Sequence, residues 1–86
     1  MNFRLSLPFE SKAKKLCMKN PRLRSALAKQ FKLFQNNPHH PSLKLHRLKG
    51  KRTSQYAIWI QGDLRALSVE VDGVFVFFDL VTHDQY

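Results

Sequence analysis

The stretch that most constrains the fold is residues 56–81. Three apolar runs, YAIWI (56–60), LRALSVEV (64–71) and VFVFFDLV (74–81), are separated only by Gln61-Gly62-Asp63 and Asp72-Gly73. Asp-Gly between two apolar runs marks a tight hairpin, because the turn that matches the twist of two paired strands needs positive φ at both central residues. Connections this short join antiparallel neighbours. The segment therefore reads as a three-stranded antiparallel meander.

The N-terminal part has to cover that meander. NFRLSL (2–7) sets Phe3, Leu5 and Leu7 against Arg4 and Ser6, the period of a half-buried strand, with Pro8 ending it. From Phe9 the apolar positions Phe9, Ala13, Leu16 and Cys17 fall three to four apart, and Lys12, Lys14, Lys15 and Lys19 lie elsewhere on the surface, which is a short amphipathic helix. In NPRL, Asn20 reads as an N-cap with Pro21 in the first helical position, and Leu23, Leu27, Phe31 and Phe34 mark one face of a second helix ending near QNNP. Residues 38–55 form a long basic connection, broken by two prolines and a glycine, with Leu43, Leu45 and Leu48 directed inward. The whole is an α+β single small domain over residues 1–86, ordered β-α-α-β-β-β: an antiparallel sheet with a helix pair packed on one face and the other face partly open.

Charge narrows the function. Fifteen Lys and Arg against six Asp and Glu give a formal net charge of +9 in 86 residues. Such a surface favours polyanions, so nucleic acid or an acidic protein is the first expected partner. The single Cys17 cannot form an intramolecular disulfide and reads as a small core residue rather than a nucleophile. No stretch resembles a signal peptide or an apolar run of roughly 18 residues, so a cytoplasmic location and no membrane partner are expected.

The sequence has no Gly-rich phosphate loop and no Cys/His metal spacing, so neither a metal nor a cofactor is expected. The histidines are the candidates for chemistry. His39, His40, His46 and His83 fall near loops or strand ends, where an imidazole can exchange protons near neutral pH. In a basic protein this points to metal-independent RNA cleavage: a base takes the 2′-hydroxyl proton, an acid protonates the leaving 5′-oxygen, and cations hold the phosphoryl oxygens. His39 and His40, beside a proline in an exposed loop, read as surface residues or at most phosphate contacts. Arg65 shares a strand face with Leu67, Val69 and Val71, a costly place for an unpaired cation unless it lies at the open end of the sheet where a phosphate can meet it.

HPSLKLHRLKG (40–50), YAIWI, GDLRALS (62–68) and FFDLVTHDQY (77–86), in this order over the whole chain, resemble the RelE/ParE superfamily of toxins from bacterial type II toxin-antitoxin systems, in particular its RelE/StbE and YafQ-like branch. The resemblance implies the RelE-like fold and a ribosome-dependent mRNA endoribonuclease. It also implies a cognate antitoxin, acidic or with an acidic segment, joined to the toxin in a higher-order hetero-oligomer. His83 matches the C-terminal histidine of YafQ-like toxins and His46 the histidine before the Leu-x-Gly motif, both acid-base candidates. Asp63 matches a catalytic-site aspartate in the turn, and equally fits a simple turn former. Arg65 matches the arginine that clamps the scissile phosphate. Lys49, Lys51 and Arg52 match a region reaching RNA phosphates, and Tyr86 the terminal aromatic. A third YafQ-like histidine is missing, with Trp59 in its place, which leaves room for base stacking. Two other readings stay open: a ParE-like gyrase inhibitor without nuclease activity, and a decayed toxin fold that only binds its antitoxin.

Overall fold

The computed structural model describes residues 2–52 and 54–82, for Arg52 the backbone alone. Five strands and two helices follow in the order β1 (Phe3–Leu5), α1 (Leu7–Lys19), α2 (Pro21–Asn36), β2 (His46–Arg47), β3 (Gln55–Gln61), β4 (Leu64–Val71) and β5 (Val74–Thr82). The sheet order is β1-β5-β4-β3-β2. The meander β3-β4-β5 is antiparallel as expected. The sheet as a whole is mixed, because β1 joins β5 in parallel, Phe3 opposite Phe75 and Leu5 opposite Phe77. The helix pair and the strands β2, β3 and β4 lie between β1 and β5 in the chain, and such a long connection is what parallel neighbours need.

Two further departures from the sequence reading concern the end of β1 and the basic connection. β1 stops at Leu5, and Leu7, expected inward, is 77% exposed. Ser6 accepts a hydrogen bond from the Phe9 backbone N–H at 3.2 Å and so caps α1, and Pro8 sits in the first turn, where its missing N–H has no partner to lose. The second departure is β2. Within the basic connection, His46 and Arg47 pair with Ala57 and Tyr56, and 3-10 turns at Pro41–Leu43 and Gly50–Arg52 flank them. Asn20 takes its expected place between the helices through its backbone, accepting from the Leu23 N–H at 3.0 Å.

Phe77 is fully buried at the centre of the helix-side core, its ring 4.8 Å from Phe31, 5.4 Å from Phe34, 6.1 Å from Phe3 and 6.3 Å from Phe9 between centroids. Cys17 lies in the same core. A bulge opposite Leu67 and Ser68 makes Phe78 an extra residue in β5. The alternation changes phase there: Phe75, Phe77 and Leu80 face the helices, whereas Phe78 and Val81 pack with Leu48, Ala57 and Leu67 on the other side. The Asp72-Gly73 turn takes the expected positive φ, 51° and 79°, and in the other hairpin turn Gly62 is likewise positive, at 54°. No helix among the described residues is long and apolar enough to cross a membrane.

Candidate functional site

The face away from the helices is a small apolar floor of Leu48, Ala57, Leu67 and Val81. Polar and aromatic groups gather at one end of it, where β3 turns into β4. Trp59 lies opposite Arg65, and Arg65 opposite Val81. Directly opposed residues share a face, so Trp59 and Arg65 stand side by side on this open surface.

The turn itself holds both. The Trp59 indole N–H donates to the Gly62 carbonyl at 2.7 Å, which fixes the plane of the ring. Arg65 donates through Nη1 to the Gly62 and Leu64 carbonyls at 3.4 Å each. These are long bonds, and a guanidinium has five N–H donors. Arg65 has no carboxylate partner among the described residues, where the one ion pair joins Lys12 to Asp79 at 2.8 Å. A half-buried guanidinium with most of its donors uncommitted is suited to a phosphate.

His46 enters from β2 on the same face, opposite Ala57, two residues along β3 from Trp59. Its ring Nδ1 lies 2.8 Å from the Lys44 carbonyl. A carbonyl only accepts, so Nδ1 carries the proton and Nε2 of the neutral ring is left as an exposed lone pair. Lys44 is left-handed, φ 51° and ψ 39°, which turns the chain out of the preceding 3-10 turn. Its ammonium lies over the Trp59 ring, 5.4 Å from the centroid. Lys44 thus touches both functional candidates, through its backbone and its side chain.

Behind the site, Gln30 of α2 is 2% exposed and donates through Nε2 to the Trp59 carbonyl at 2.9 Å and the Ser42 carbonyl at 3.3 Å. It ties the helix layer to the strand that carries Trp59. Neither Gln30 nor Lys44 is marked by the sequence: Gln30 follows Lys29 as one more polar residue of the helix, and nothing local signals a left-handed lysine.

The remaining candidates lie apart or outside the described residues. Asp63 is exposed in the β3–β4 turn and lines a depression of about 420 Å³ on the helix side with Leu16, Lys19, Asn20 and Leu23; it pairs with neither Arg65 nor His46. Lys49 and Lys51 are exposed and form no ion pair among the described residues. His40 has a structural part, its Nδ1 accepting from the Ser42 backbone N–H at 3.1 Å to cap the 3-10 turn. His39 is exposed. His83, Tyr86 and the Arg52 side chain lie outside the described residues; β5 is described to Thr82, opposite Leu64. On the helix side of β2, Arg47 stacks on Tyr56 and donates to its hydroxyl at 2.8 Å, and this bond is the first cause holding its guanidinium pKa above the ordinary value.

No protein-family model and no curated protein matches the sequence. Solved structures do match in fold. The chain is similar to YafQ from E. coli strain BL21(DE3), with 22% identity and a TM-score of 0.74 over 98% of this chain and 94% of that one. It is similar to a YoeB/ParE toxin from Agrobacterium tumefaciens, with 14% identity and a TM-score of 0.75 over 96% and 99%. It is also similar to a chain of the E. coli DinJ-YafQ toxin-antitoxin complex, with 22% identity and a TM-score of 0.73 over 98% and 93%. The chain has the fold of these RelE/ParE-type toxins.

Proposed function

We propose that this chain is the toxin of a toxin-antitoxin pair and acts as a ribosome-dependent mRNA endoribonuclease. The observation that carries the reading is the cluster on the open face: a fixed indole, an arginine without a carboxylate partner among the described residues, and an imidazole with its Nε2 exposed, at the same end of the sheet. The fold shared with YafQ and with YoeB/ParE toxins supports it.

In the proposed reaction, the 2′-hydroxyl oxygen attacks the adjacent phosphorus as His46 Nε2 takes its proton. The bond to the 5′-oxygen breaks, and that oxygen receives a proton from a second group, for which His83 is proposed. The products are a 2′,3′-cyclic phosphate and a free 5′-hydroxyl. Arg65 bridges the non-bridging oxygens, where negative charge grows. Trp59 offers its face to a base, and Lys49, Lys51 and Arg52 supply contacts to RNA phosphates that do not depend on sequence. Tyr86 is proposed as a further RNA contact. Asp63 is the weakest of the catalytic candidates, because it lines the helix-side depression. The antitoxin, acidic or with an acidic segment, would cover the basic face, in a cytoplasmic complex.

The test is induced expression with primer extension across an abundant mRNA, comparing wild type with His46→Ala, Arg65→Ala and His83→Ala. Cuts in frame with codons that weaken by about 10²-fold or more in each variant support the assignment, the usual scale of one acid-base group. Growth arrest with DNA-damage signalling and no cuts would instead favour a gyrase inhibitor, and harmless expression a decayed toxin fold.

A further inference from the structure

We propose that Lys44 gates a nucleobase subsite on Trp59: in the free protein its ammonium covers the indole, and a base of single-stranded RNA displaces it, sending the ammonium to the phosphate beside that base. The proposal rests on the reading of the open face as an RNA-cleaving surface and names a residue outside the acid-base set.

Two cation-aromatic stacks flank β2, and their difference carries the argument. Arg47 over Tyr56 is closed by a 2.8 Å hydrogen bond to the phenol hydroxyl. Lys44 over Trp59 has no such lock: its ammonium makes no hydrogen bond or ion pair among the described residues and rests on the ring face alone, 5.4 Å from the centroid. The indole, in contrast, is anchored at its edge by the 2.7 Å bond to the Gly62 carbonyl. The platform is fixed and its cover is loose.

Displacement is favoured on both sides. An exposed cation-π contact is weaker than the stacking of a base on an aromatic ring. The released ammonium stays on a four-carbon tether beside the strand, where an RNA chain brings a phosphate with every base. The exchange asks only the Lys44 side chain to move; its backbone is left-handed, and its carbonyl accepts the Nδ1–H of His46 at 2.8 Å in the free protein. Lys44 thus contacts both the base platform, Trp59, and the proton acceptor, His46, so a nucleotide seated on Trp59 is registered to the imidazole.

Trp59 is the chain's single tryptophan, so its fluorescence reads this subsite directly. The probes are a 2′-O-methyl RNA octamer, which cannot be cleaved through its 2′-oxygen, and an abasic octamer of equal length and charge. They are titrated into wild type and Lys44→Met, a change at an exposed side chain whose folding is checked by circular dichroism. The octamer is expected to shift Trp59 emission and lower its acrylamide quenching constant at least twofold, while the abasic octamer binds without doing so. Lys44→Met should keep the base-dependent protection, and its plot of log affinity against log salt should be shallower by about 0.7, one phosphate contact on a single strand. Equal protection by the abasic octamer, no protection with the octamer bound or no binding, or an unchanged salt slope in Lys44→Met would each overturn the gate. Primer extension reads the nuclease separately: cuts with an unprotected Trp59 sink the gate alone, and a protected Trp59 without cuts sinks the nuclease reading.

Discussion

Replacing Gln30 with leucine tests whether the helix layer holds the site in place. The amide is buried and gives one good bond, 2.9 Å to the Trp59 carbonyl, and one weak bond, 3.3 Å to the Ser42 carbonyl. Leucine keeps much of the volume and removes both donors. Leaving a buried carbonyl without its donor costs about 1–3 kcal/mol, and the added apolar surface offsets part of that, so a net loss of about 1–2 kcal/mol is expected. Small domains unfold with about 2.1 cal/mol/K of entropy per residue, about 0.18 kcal/mol/K for this chain, so the melting temperature should fall by about 5–10 °C. Gln30→Glu makes a sharper comparison. A carboxylate in the same place meets two carbonyl oxygens and no donor, so its folded pKa is raised. A raised folded pKa means that the penalty is present when the group is ionised and recedes as the pH falls below it. Thermal unfolding followed by circular dichroism, with Trp59 emission recorded alongside, measures all three proteins. Leucine within about 0.5 kcal/mol of wild type, with unchanged emission, would refute a positioning part for Gln30.

Other consequences follow from single contacts. The Ser68 hydroxyl is fully buried with no hydrogen-bond partner among the described residues, so Ser68→Ala should raise the urea midpoint, a gain of up to about 1 kcal/mol. Phe77→Ala removes the hub of four aromatic contacts and should cost about 3–5 kcal/mol, enough to leave a domain this small largely unfolded by circular dichroism and proton NMR. Arg65→Lys keeps the charge and loses the bidentate fork, so cleavage should fall by more than tenfold while thermal stability changes little. Asp63→Asn keeps the turn preference and removes the charge; it should reduce cleavage less than His46→Ala does in the same assay.

The meander and the helix pair were legible because short-range chemistry specifies them. Asp72-Gly73 sets one turn, Gly62 the other, and period-3.6 faces bury Leu23, Phe31 and Phe34. The features that escaped depend on partners distant in sequence. A two-residue strand such as His46–Arg47 exists only by its pairing to β3, and the parallel sense of β1 is set by its pairing with β5, some seventy residues on. The bulge at Phe78 breaks the alternation of an otherwise uniform apolar run. Leu7 looked inward because it continued a period-two pattern, and the Ser6 cap overrode that pattern. At the site, Arg65 stood out as a cation on an apolar strand face, and the open end of the sheet accounts for it. Lys44 and Gln30 left no such mark, since a left-handed lysine and a buried glutamine are chosen by the tertiary surroundings. The tail carrying His83 and Tyr86 lies outside the described residues, so its part rests on the resemblance of the sequence.

The most direct test is cleavage of a defined mRNA by the purified protein on programmed ribosomes, comparing an all-ribose message with one carrying a single 2′-deoxy nucleotide at the mapped scissile position. The account predicts cleavage only when ribosomes are present, ending in a 2′,3′-cyclic phosphate and a 5′-hydroxyl, and abolished by the single deoxy substitution. Cleavage that survives that substitution, or an intact message under conditions where the protein arrests growth, would contradict it.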